Sequence, residues 1–201
     1  MDILNEIKFT EPTLVSVGGK PAVGKTTVLI AMVKNMVRVG DKVIVISDDK
    51  PTKWISKFLG LPEVKFFFLT YDQIKQLPTI VGDNDCDFLI LDIAKTLTAI
   101  ELLELKNFAS SKNIITFTSF QRYYNLNAQP NGYHNQKIMQ YSDYVIDITR
   151  NPKFKWWEQL KYLLFPFWFK KPNASISVIK NRFGSNSTEN VYINYETATI
   201  N

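Results

Sequence analysis

The chain has 201 residues, 45% of them hydrophobic and 21% charged, a composition that suits one globular domain with a full core and excludes a disordered or fibrous chain. A single cysteine, Cys86, and a single histidine, His134, exclude an internal disulfide framework and argue against a His/Cys metal site. The net charge is +5, yet residues 150–182 alone carry eight basic side chains against one acid, a local +7 that leaves the rest of the chain at −2. An anionic partner is therefore expected at the C-terminal third.

The first residues, Met1-Asp2-Ile3-Leu4-Asn5-Glu6, lack the basic start and apolar stretch of a secretory signal. No run approaches the ~18 apolar residues of a spanning helix, so the expected location is the cytoplasm. Residues 1–12 read as a short N-terminal arm, with Ile3, Leu4 and Ile7 at helical spacing, and residues 13–201 as a single domain.

From Thr13 onward, short apolar runs rich in β-branched residues alternate with helical patterns. Strands are expected at 14–17, 42–46, 66–70, 87–91, 114–118, 144–148 and 175–180, and a last one at 191–195. Helices are expected at 26–40, 52–59 and 97–111. Apolar runs without strict alternation suit strands covered on both faces, and the β–α alternation argues for a mostly parallel sheet with crossover helices. The final strands, joined by a loop at 181–190, read as an antiparallel hairpin at the sheet edge. Cys86, just before an apolar run, reads as a small core residue.

Gly19-Lys20-Pro21-Ala22-Val23-Gly24-Lys25-Thr26 matches G-x-x-x-x-G-K-[ST] at each fixed position, with a strand leading in and a helix, continuing through Thr27, leading out. In such a loop the glycines let backbone N–H groups converge on phosphate oxygens at a helix N-terminus. Lys25 is expected on the β- and γ-phosphates and Thr26 on Mg²⁺, which makes ATP and Mg²⁺ the expected ligands. Phe88-Leu89-Ile90-Leu91-Asp92 places an acid at the end of an apolar strand, where Asp92 would hold the metal's water shell. A helix-capping aspartate is the plainer account of Asp92. No glutamate follows it, so the base must lie elsewhere; Asp48 and Asp49, at the end of the second strand, are the candidates.

Taken in order, these segments resemble the RecA-like motor domain of DnaB-type replicative helicases. The P-loop has that family's basic residue and proline after its first glycine. Val43-Ile44-Val45-Ile46-Ser47-Asp48-Asp49 resembles the strand that ends in the family's catalytic glutamate, with Asp49, one methylene shorter, at that position. Thr116-Phe117-Thr118-Ser119-Phe120-Gln121-Arg122 resembles the strand whose glutamine senses the γ-phosphate, here Gln121. Residues 137–146 resemble the segment that enters the next strand. Ile179-Lys180-Asn181-Arg182-Phe183-Gly184 resembles the K-x-R hairpin that reaches a neighbouring subunit's nucleotide, which makes Lys180 and Arg182 finger candidates. The resemblance implies a RecA-like P-loop fold, a ring that is a hexamer in the family, ATP between subunits and single-stranded DNA or RNA through the centre. It departs from the family in Asp49, in a short segment between Gln121 and Lys137, and in having room for an arm but not a collar domain before Thr13.

Two segments stand apart from those motifs. Arg122, Tyr123, Tyr124, Asn125, Tyr133, His134 and Lys137 mix stacking rings with phosphate-pairing donors, as single-strand binding requires; a surface loop packed on its own core has the same composition. Residues 153–172 form an aromatic and basic insertion holding three of the four tryptophans, in which Trp156, Trp157, Leu160, Leu163, Leu164 and Phe167 share one helical stripe. Its length and Pro166 exclude a membrane span, and the composition fits a protein interface, a membrane-surface helix or a hairpin packed on its own domain. Two functions follow: a minimal nucleic-acid motor of phage or mobile-element type, or a nucleotide-switched assembly or membrane-associated scaffold with weak hydrolysis. A nucleotide kinase is disfavoured, because no lid-like arginine cluster is seen.

Overall fold

The computed structural model describes residues 9, 11–48, 64–68, 76–82, 85–93, 97–121, 138–150, 163 and 171–200. Asp49, Arg122, Tyr123, Tyr124, His134 and Lys137, the helix expected at 52–59, and nearly all of the 153–172 insertion lie outside the described residues.

An eight-stranded sheet runs in the order β3-β2-β4-β5-β1-β6-β7-β8. Its strands are β1 (Leu14–Gly19), β2 (Val43–Ser47), β3 (Val64–Phe68), β4 (Phe88–Asp92), β5 (Ile115–Gln121), β6 (Tyr144–Arg150), β7 (Ala174–Asn181) and β8 (Ser187–Val191). The first six are mutually parallel, whereas β7 is antiparallel to β6 and β8 to β7. The edge hairpin expected from the sequence is thus present, with a tighter turn at 182–186. The strand after it lies at Ser187–Val191 rather than at 191–195, because a strand paired on one side needs little apolar surface and Ser-Thr-Glu-Asn-Val suffices. The apolar residue that follows, Ile193, instead joins a separate two-stranded ladder of β9 (Ile193–Asn194) and β10 (Thr199–Ile200).

Alternating side chains divide the core between the two faces of the sheet. Val15, Val17, Val43, Val45, Ile90, Phe117, Ile146 and Ile148 face α1 (Lys25–Met36) on one side. Leu14, Ile44, Ile46, Leu89 and Leu91 face α2 (Leu77–Gly82) and α3 (Ala99–Lys112) on the other. Both faces are covered, which is why the central strands read as continuous apolar runs. Residues Thr27 through Val33 of α1 are all buried, and Ile193, Ala198 and Ile200 share their cluster, so the terminal ladder covers what the sheet leaves open.

Helix boundaries follow local chemistry. α1 ends at Met36, four residues before the expected Gly40, with Val37 extended. α3 starts at a capping box: Thr98 accepts from the Glu101 N–H, and the Glu101 carboxylate accepts from the Thr98 N–H at 2.7 Å. It stops at Asn113, whose φ of 58° is left-handed. Cys86 is buried, and burial first, then Asp87 and Asp85, push its thiol up to about 12, as befits an inert core residue.

One charge cluster knits the N-terminal edge of the sheet. Asp143, 2% exposed, accepts from the Leu14 N–H at 3.1 Å, from Lys106 Nζ at 2.7 Å and from the Arg182 guanidinium at 3.1 Å. Burial alone would raise its carboxyl, but these three donors and the Lys106 charge outweigh burial and hold it below the ordinary carboxylate range. A carboxyl depressed in the folded state contributes stability that is complete above its unfolded value, near pH 4, and is lost as pH falls through the folded value. Asp143→Ala is expected to cost about 1–3 kcal/mol, because it leaves the buried Leu14 N–H without its acceptor, whereas Lys106 and Arg182 keep access to water. In acid-limb unfolding, the stability gap between the wild type and Asp143→Asn should narrow below roughly pH 4. A gap constant down to pH 2 would contradict this account.

Candidate functional site

The chain leaves β1 through α1 towards β2 on one side of the sheet and later returns to place β6 on the other side of β1. This reversal opens a crevice at the carboxyl ends of the central strands, the place where open α/β sheets bind ligands. Strand register brings the candidate residues level: Gly19 pairs with Gln121, Val17 with Ser119, Leu91 with Thr118 and Ser47 with Asp92.

The loop after β1 turns sharply into α1. Gly24, the residue before the helix, has φ 101°, and a Cβ there would lie 2.5 Å from the Tyr195 ring; only glycine meets both demands. Gly18 has a different constraint, since a Cβ there would meet the Phe120 ring at 2.1 Å. Ala22 also has a left-handed backbone, φ 57°, so Ala22 and Gly24 both turn the loop through positive φ, a feature of the concave backbone of anion nests. Lys25 Nζ spans the loop, donating to the Lys20 carbonyl at 3.1 Å and to that of Gly19 at 3.5 Å. Burial lowers the Lys25 ammonium from its ordinary value, and Asp92 pulls in the opposite direction. The Thr26 hydroxyl donates to Asp92 Oδ2 at 2.5 Å, so the two oxygens expected to serve a metal already touch across 66 residues of sequence. A hydroxyl beside a carboxylate is a donor set that suits Mg²⁺, a hard cation that prefers oxygen ligands.

A cleft of about 280 Å³ is lined by Pro21, Ala22, Lys25, Thr26, Asp48, Asp92, Ile93, Ser119 and Gln121. The sheet thus gathers Lys25, Thr26, Asp92 and Gln121, read from distant segments, around one opening. Lys20, Val23 and Thr27 belong to the same loop and helix start, with Val23 and Thr27 buried beneath it. Ser119, 3% exposed, was legible only as part of a strand.

Lys180 and Arg182 lie at the other end of the sheet. Asn181 pairs with Tyr144, whereas Gly19 pairs with Ile148, four residues further along β6 and roughly 13 Å along the strands. Lys180 Nζ is held by the carbonyls of Met139, Gln140 and Ser142. Burial, together with the nearby charges of Lys106 and Arg182, lowers its ammonium against the pull of Asp143. The Arg182 side chain is 61% exposed while it pairs with Asp143.

Two side chains that sequence reading did not single out grip the loop from outside. The Arg150 guanidinium, at the end of β6, donates to the Ala22 carbonyl and lies 6.0 Å from the Tyr195 ring centre. The Tyr195 hydroxyl donates to the Val23 carbonyl at 3.4 Å. Their separations from the loop, 128 and 172 residues, leave no local pattern to find them by.

Fold and loop together define a RecA-like P-loop domain. The structure is similar to the ATPase domain of G40P, with a TM-score of 0.64 at 13% identity over 94% of this chain and 84% of that one. It is also similar to a DnaB-like replicative helicase studied with primase, with a TM-score of 0.63 at 13% identity over 94% of this chain; the chain spans 58% of that protein. At this identity the likeness is one of fold. No protein-family model and no curated protein sequence matches the chain. No helix among the described residues is long and apolar enough to cross a membrane.

Proposed function

We propose that this protein is an ATP-hydrolysing, ring-forming motor of the helicase type that acts on single-stranded nucleic acid. The observation that carries the reading is the single cleft in which Lys25, Thr26, Asp92 and Gln121 meet at the carboxyl ends of β1, β4 and β5. Lys25 and the backbone N–H groups of the loop, Pro21 excepted, bind the β- and γ-phosphates, and α1 adds the positive end of its dipole. Thr26 and Asp92 would hold Mg²⁺, which would supply positive charge against the phosphates.

Gln121, level with Gly19, reports on the γ-phosphate at the end of β5, the strand that leads into the 122–137 segment we assign to nucleic acid. A carboxylate at the end of β2 orients the attacking water; Asp48 lines the cleft, and Asp49 follows it. Arg182 fits a finger that stabilises charge on a neighbouring copy's phosphates. It lies far from its own P-loop and is the more exposed of the two hairpin cations, while Lys180 is engaged by three carbonyls of its own chain.

ATP turnover per subunit, measured against protein concentration, should rise steeply as copies assemble and rise again when single-stranded DNA is added. A rate that is independent of concentration and of DNA would overturn the motor reading. A rate that responds only to anionic vesicles would favour the nucleotide-switched scaffold.

A further inference from the structure

Ala22 is the one non-glycine residue of the phosphate loop with a positive φ, 57°. The other two such residues described, Asn113 and Ala198, end a helix and close the β9–β10 turn. Alanine pays a steric penalty in this region, because its Cβ approaches the following carbonyl, so the conformation persists only where surroundings hold it. Among the described residues, two contacts hold it. Within the loop, the Val23 N–H reaches the Lys20 carbonyl at a long 3.4 Å. From outside, the Arg150 guanidinium donates to the Ala22 carbonyl. Arg150 is itself steadied by the Tyr195 ring beneath it, and Tyr195 in turn reaches the next carbonyl, Val23. A bond to the Ala22 carbonyl sets the plane of the Ala22–Val23 peptide, and with it the backbone of the nest.

We propose that Arg150 is a positioning residue for the phosphate loop: seated on Tyr195, it holds the Ala22 carbonyl and so keeps the left-handed backbone that the phosphate cradle requires. This role rests on the nucleotide-binding reading for its consequence, but not for its geometry. It differs from a role as a direct ligand. A direct ligand cannot be replaced by a change in the loop, whereas a positioning residue can. Glycine takes positive φ at no steric cost, so Ala22→Gly should supply by conformational preference what Arg150 supplies by contact.

The test uses the full chain and two readouts. Amide hydrogen exchange over residues 19–25 needs no nucleotide: Arg150→Ala should speed exchange there while the strands of the core stay protected and the melting temperature holds. Mg²⁺–ATP affinity should fall about tenfold in Arg150→Ala, the scale of one strained residue left unsupported, and return to within about threefold of wild type in Arg150→Ala/Ala22→Gly. Arg150→Lys, which still donates, should fall between. Unchanged loop exchange in Arg150→Ala overturns the proposal whatever the affinity does. A double variant as weak as Arg150→Ala also overturns it, because Arg150 then acts on the nucleotide itself. If exchange rises as expected while the wild type binds no ATP, the positioning role stands and the motor reading falls.

Discussion

Lys25→Ala is expected to abolish ATP binding and leave the fold intact. The ammonium sits at the first residue of α1, among the loop carbonyls, and its partial burial strengthens any pairing it makes with phosphate. Loss of a charge-assisted contact to phosphate in such a place corresponds to roughly 10²–10³-fold in affinity. Its only described hydrogen bonds are to Gly19 and Lys20 of the same loop, so neither the sheet nor α1 depends on it. Calorimetric titration with Mg²⁺–ATP, paired with a thermal melt, checks both halves. Binding within threefold of wild type in a folded Lys25→Ala protein would remove the phosphate role from this loop.

Arg182→Ala should show the opposite separation, with nucleotide affinity kept and turnover lost by about 10³-fold or more, the scale of an arginine finger. Arg182 is placed beyond Asn181 at the N-terminal end of β6, away from its own Lys25 and Thr26, so a finger role as proposed would be played on another copy's phosphate. Folding should survive, because Lys106 and the Leu14 N–H remain on Asp143 when Arg182 is removed. The two variants are complementary. A mixture of Lys25→Ala and Arg182→Ala copies creates junctions in which an intact loop from one subunit faces an intact finger from the other. Activity should therefore reappear on mixing two inactive preparations. Full turnover by a monomeric Arg182→Ala protein would sink the finger, and mixing that restores nothing would argue against a shared site.

The two expectations differ in how directly they could be read. The β1–loop–α1 unit is contiguous, and each part of it announces itself locally: an apolar strand, glycines where the backbone turns, and a lysine and a threonine at the helix start. Asp92 was legible because it ends an apolar run, and Gln121 only through the resemblance of its strand to that of the helicase family, since Thr116-Phe117-Thr118-Ser119-Phe120 is not an apolar run. The short helix α2 escaped notice, although Pro78 in its first turn and Gly82 at its end are punctuation of the expected kind. Six residues are too few to show a helical period. The edge strand β8 was displaced in the reading for the related reason that its polar residues do not need burial.

By itself, then, the sequence determined the α/β class, the phosphate loop, the acid at the end of β4 and the antiparallel edge, since these rest on periodicity and on contiguous backbone chemistry. Only the tertiary structure decided what grips the loop and what each hairpin cation does. Arg150 and Tyr195 converge on Ala22 and Val23 from strand and turn positions far along the chain, and Asp143 draws Lys106 and Arg182 to one buried carboxylate while Lys180 is taken up by carbonyls. These pairings depend on which strands lie side by side in the sheet. Strand order is a product of whole-chain packing, and no local pattern of residues encodes it.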